Sequence, residues 1–78
     1  MNINHTTKKD LTLHYVYQLL KRFNIIVYTG NRLDDIAIME LELEDLIEWK
    51  LITDEEFIHA KRILIHYANQ EKKEKEMK

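Results

Sequence analysis

The sequence predicts an all-α fold: a three-helix bundle with a short extended strap between its first and second helices. Three observations carry this. Apolar residues recur at spacings of three and four over three stretches, which is the helical period. The chain has no proline and one glycine, Gly30, placed between the first two stretches. Thr53-Asp54-Glu55-Glu56 has the form of a capping box, the strongest local mark of a helix start.

The first helix is predicted over Leu11 to Phe23. Tyr15, Val16, Leu19, Leu20 and Phe23 share its buried face. Asp10 is placed to cap it, since a carboxylate accepts from the free amides of a first turn. Lys21 and Arg22 fall in the last turn, where positive charge suits exposed carbonyls. Asn24 suits the left-handed position that ends a helix. Ile25-Ile26-Val27-Tyr28 follows, a β-branched and aromatic run that favours extended backbone. It is too short to make a sheet, so it is expected to strap Ile25 or Val27 onto the core.

The second helix is predicted over Arg32 to Lys50. Leu33, Ile36, Met39, Leu43, Leu46 and Ile47 form its inner face. Asp34 and Asp35 in its first turn suit the positive end of the helix dipole. The third helix starts at the capping box. Ile52 and Phe57 stand where a hydrophobic staple would, and Phe57, Ala60, Ile63, Leu64, Tyr67 and Ala68 make the buried stripe. Beyond Asn69 the pattern becomes EKKEKEMK, a charged helix end or tail over residues 70–78. Only Leu51 to Thr53 link the last two helices, which makes them antiparallel neighbours.

The 78 residues are read as a single helical domain with a flexible N-terminus over residues 1–9. A domain of this size buries only about 60–65% of its unfolded surface, so it builds one thin core. It has no cysteine, hence neither disulfides nor thiolate metal sites. No stretch approaches 18 consecutive apolar residues and no signal-peptide core is present, so a cytoplasmic location is expected. The net charge of −2 hides a segregation. Residues 1–32 carry five bases against one acid, 33–56 ten acids against one lysine, and 57–78 six bases against three acids. Such fields steer partners rather than set folds.

Residues 28 to 52, YTGNRLDDIAIMELELEDLIEWKLI, resemble the YqgQ-like family of small proteins from Gram-positive bacteria. Tyr28, Thr29, Gly30, Arg32, Leu33, Asp35, Met39, Glu40, Leu46, Leu51 and Ile52 carry the likeness. The resemblance implies a three-helix bundle, says little about activity, and brings a suggestion of single-stranded nucleic-acid binding. A second, local likeness links LIEWKLITDEEFIHAKRIL to the short helix-turn-helix (SHOCT) module at the C-termini of many bacterial proteins. It departs at Lys50, where that module usually has glycine.

Two candidate surfaces follow from the residues. The first is an aromatic and basic set: Tyr17, Lys21 and Arg22 on the first helix, then Tyr28, Thr29, Gly30, Asn31 and Arg32 at the turn. His14, Tyr17, Lys21 and Gln18 are expected to point away from the core, with Arg22 at its border. Tyr28 would stack a base of single-stranded RNA or DNA, and the free amides beside Arg32 would take a phosphate. The bland reading is geometric: Gly30 supplies a positive φ, Thr29 or Asn31 caps the helix, and the helix face is merely solvated. The second surface is the stripe Ile38, Leu41, Asp45 and Trp49 on the acidic helix. It reads either as a wide arc touching two neighbours or as a homodimer or protein-interaction seam anchored on Trp49.

No nucleophile has a base beside it, so no catalytic residue is assigned and no cofactor is expected. His59 and His66 share a face of the third helix, but two histidines fall short of a zinc site, and no metal is assigned.

Overall fold

A computed structural model describes residues 12–76, with side chains described through Lys73. It contains three helices: α1 Leu13–Lys21, α2 Arg32–Glu48 and α3 Asp54–Glu76. Each packs on the other two around one core, as the all-α three-helix reading expects. The expectations for residues 1–9 and for Asp10 as a cap lie outside the described residues.

α1 is shorter than predicted at both ends. Thr12 precedes it in extended conformation. Its C-terminus closes as a Schellman turn: Ile25 N–H donates to Leu20 O at 3.1 Å and Asn24 N–H to Lys21 O at 2.9 Å. Asn24 takes the left-handed position, at φ 62. α1 buries Leu13, Val16, Leu19 and Leu20.

Residues 25–29 then form neither helix nor strand. Val27 is buried and Ile25 half-buried, while Ile26 and Tyr28 face out, the period-two alternation of an extended chain. Gly30 lies at φ +88 with open space where a Cβ would stand, so the backbone conformation, not crowding, favours glycine there.

Asn31 caps α2, its side chain accepting from the Asp34 amide at 3.0 Å. α2 buries Ile36, Met39, Leu43 and Leu46. Lys61 of α3 reaches Glu40 and Glu44 at 2.8 and 2.9 Å, and Arg32 lies 4.0 Å from Glu71, which sets α2 and α3 antiparallel. The capping box forms in both directions: Glu56 N–H donates to Thr53 Oγ1 at 3.0 Å, and Thr53 N–H to Glu56 Oε1 at 2.9 Å. Ile52 is buried beside it and Phe57 packs against the core. The charged end continues as helix to Glu76.

α2 ends in a second Schellman turn, with Leu51 N–H on Leu46 O at 2.9 Å and Lys50 N–H on Ile47 O at 3.0 Å. Lys50 therefore sits at φ 57, in the left-handed region. This is the position where the helix-turn-helix likeness departs from glycine, and a side chain there is strained. Lys50→Gly is expected to raise stability by about 1 kcal/mol. In a domain of this length that is a melting rise of roughly 4–8 °C, read by circular dichroism.

Candidate functional site

The polar centre of the molecule is Asp35. Only 4% of it is exposed, and it is the only charged side chain buried among the described residues. Its carboxylate joins three elements. Oδ1 accepts the Thr29 amide and the Thr29 hydroxyl, both at 2.7 Å, and Oδ2 accepts the Tyr17 hydroxyl at 3.3 Å. Burial pushes the carboxyl upward, but the Thr29 and Tyr17 hydrogen bonds and the Arg32 charge outweigh it and hold the group below the ordinary aspartate value. Tyr17 answers in the opposite sense: burial and then the Asp35 charge raise its phenol. Both shifts favour one state, a carboxylate held by neutral donors.

This centre redistributes the eight residues of the first candidate surface. Tyr17 was expected on the outward face of the first helix; it is half-buried, with its hydroxyl turned to Asp35. The reason is that α1 packs against both α2 and α3, so its covered arc is wider than one stripe. Thr29 is bound to Asp35, and its hydroxyl also accepts the Asn31 amide at 3.1 Å. Asn31 is the cap, so the Asp34 amide is already taken. Arg22 goes the other way, pairing with Glu56 at 3.1 Å and lying over the Phe23 ring at 5.6 Å. Arg32 is loosely paired with Glu71. Lys21, Tyr28 and Gly30 are exposed. The structure thus gathers Tyr17 and Thr29 around one carboxylate, leaves Lys21 and Tyr28 to solvent, and sends Arg22 and Arg32 to two different acids of α3.

The second surface divides as well. Ile38 is half-buried against the core, whereas Leu41 and Trp49 are 67% and 74% exposed. Leu51 is exposed two residues beyond Trp49 at the α2–α3 turn, and Ile58 and Ile65 are exposed on α3. These last three carried no sequence expectation. Ile58 and Ile65 are seven apart, two helical turns on one face, and that spacing was the available signal. Ile65 lines a shallow groove between α2 and α3 with Ile36, Glu40 and Lys72.

A scan against family models matches residues 11–70 to the YqgQ-like family. The chain belongs to the YqgQ-like family. The match covers α1, the strap, α2 and most of α3. No curated protein and no solved structure matches.

In this YqgQ-like chain, His59 packs edge-on against Tyr15 with ring centroids 4.7 Å apart, rather than standing free beside His66. His66 meets Tyr67 in the same way at 5.2 Å. Among the described residues no three of His, Cys, Asp and Glu gather in a group that could hold a metal ion. No helix there is long and apolar enough to cross a membrane.

Proposed function

We propose that this YqgQ-like protein is a small, non-catalytic cytoplasmic module that binds another protein through its acidic second helix and Trp49. The observation that carries the reading is the exposure of Trp49, the single tryptophan of the chain, at the end of α2. A tryptophan left in water forgoes a large burial gain, and tryptophan is enriched where interfaces concentrate their energy. Leu41 and Leu51 are exposed as well, as are Asp34, Asp45 and Glu48 of α2, while Glu40 and Glu44 are held by Lys61. A partner with a basic rim suits that field; a second copy apposing the same helix would meet like charges.

The test uses Trp49 fluorescence on the intact chain. Its emission is expected to shift to the blue on adding a basic partner, and Trp49→Ala is expected to weaken that binding by about tenfold or more. Sedimentation tests the homodimer expectation: a mass that halves on Trp49→Ala makes the partner a second copy. Emission that never shifts, with a monomeric mass throughout, removes the reading.

A second reading, single-stranded nucleic-acid binding, has one observation in its favour. Tyr28, Lys21 and Arg32 are all exposed, in a stretch from residue 13 to 32 without an acid. Here Tyr28→Ala and Arg32→Ala should each weaken binding of a fluorescent single strand, steeply so as salt rises. No binding of short RNA or DNA at low salt removes it.

A further inference from the structure

α2 and α3 each carry an outward stripe that nothing in the fold covers. On α2, Asp34, Leu41 and Asp45 recur at spacings of seven and four, with Trp49 four residues further, just past the helix end. On α3, Ile58, Arg62, Ile65 and Lys72 recur at spacings of four, three and seven. Such spacings keep each set on one helix face, and every one of these side chains is exposed. The charges on both stripes are unpaired. Lys61 holds Glu40 and Glu44, and Arg32 lies by Glu71, but among the described residues Asp34, Asp45, Arg62 and Lys72 form no ion pair. α2 has no base after Arg32, and α3 has no acid from Phe57 to Gln70.

We infer that the partner of the Trp49 surface is a second copy of this chain, which lays its α3 stripe antiparallel along the α2 stripe. Register carries the inference. Both helices advance about 1.5 Å per residue, so positions can be matched outward from Leu41 set against Ile65. Toward one end Asp45 stands four residues out and Arg62 three, so the two charges meet. Trp49 stands eight residues out and Ile58 seven, so the tryptophan covers an isoleucine. Toward the other end Asp34 and Lys72 both stand seven residues out, a second opposite-charge pair. The signs reverse together beyond Trp49, where Lys50 follows it and Glu55 precedes Ile58. Parallel docking from the same origin would set Asp34 on Ile58 and Trp49 beside Lys72, charge against apolar surface. Placing α2 against α2 would set acid against acid, whereas α2 against α3 joins two different patches, a heterologous contact. One helix pair gives a small interface, so the association is transient and concentration-dependent. The inference rests on the Trp49 reading and names the partner of that surface.

Sedimentation of the intact chain tests this with two variants that each lose one stripe. Leu41→Gln with Trp49→Ala removes the α2 stripe, and Arg62→Gln with Ile65→Gln removes the α3 stripe. All four side chains are exposed, so helical content should hold. The unsubstituted chain should gain mass as its concentration rises toward about 1 mM, and less so in high salt. Each variant alone should associate about tenfold more weakly or worse. An equimolar mixture should regain a two-chain species, because it still holds one intact stripe of each kind. The only tryptophan in that mixture belongs to the α3 variant, so its emission should shift to the blue as the pair forms. An unsubstituted chain that stays monomeric overturns the inference, as does association that the mixture fails to restore. A blue shift on adding a Lys-Leu peptide to chains that sediment as monomers overturns it too and leaves the Trp49 reading standing. Emission that shifts with neither peptide nor second copy removes both.

Discussion

Asp35→Ala is expected to destabilise the fold by about 2–4 kcal/mol. Three hydrogen bonds are lost at once, from the Thr29 amide, the Thr29 hydroxyl and the Tyr17 hydroxyl, and of these donors only the Thr29 hydroxyl has another acceptor, Asn31 O at 3.1 Å. A partly buried amide without an acceptor costs free energy in its own right, beyond the lost bond. The damage extends past the pair itself, because Asp35 ties α1, the strap and the start of α2 together. Melting is expected to fall by roughly 10–30 °C, read by calorimetry or circular dichroism. A change under about 0.5 kcal/mol, the range of surface substitutions, would show that the carboxylate carries no structural role.

The same residue sets a pH dependence whose sign can be worked out. The folded-state carboxyl lies below its unfolded value, so the folded state binds fewer protons. Its contribution is complete above the ordinary aspartate range and is lost as pH falls through the depressed folded value. Asp35→Asn keeps an acceptor for Thr29 but cannot titrate. It is expected to be less damaging than Asp35→Ala and to flatten the acid limb of the stability curve. An unchanged acid limb in Asp35→Asn would place the dependence elsewhere, Glu56 being the next candidate. Its carboxyl is lowered by the Thr53 amide and by Arg22.

Leu43→Ala is expected to cost about 3–5 kcal/mol. Leu43 lies in the interior of α2 with no exposed surface, among the largest fully buried side chains. A chain of this length has roughly 4–12 kcal/mol of total stability, at 0.05–0.15 per residue. Truncation therefore removes a large share of the whole. Leu43→Met nearly conserves volume and should cost under about 1.5 kcal/mol. Urea unfolding separates the two: the alanine variant's midpoint should fall far below that of the methionine variant. Equal losses would mean that shape at this site, rather than volume, decides packing.

Both expectations concern residues whose weight differs in how visible it is from the chain alone. Leu43 stands on a stripe of period three to four, and burial follows from that pattern. The capping box and the Asn24 helix end are equally legible, because each bond spans residues at most a few positions apart. Asp35 also had a signal. It stands four residues before Met39 and eleven before Leu46, on the inner stripe, where a charge demands partners. Reading it with Asp34 as a dipole charge hid that demand. Its partners could not be named from spacing, since Tyr17 lies eighteen residues away on another helix.

The sequence by itself determined the three helices, the capping box that starts the third, the Asn24 turn that ends the first, the strap and most of the core. These depend on interactions within one or two turns of the same chain segment. Only the tertiary structure decided which side chains of the first helix face inward and which arginines are tied to α3. Those outcomes depend on how α1 docks against α2 and α3. That docking brings together residues far apart in the chain, such as Tyr17 with Asp35 and Arg22 with Glu56, and local periodicity carries no record of such pairs.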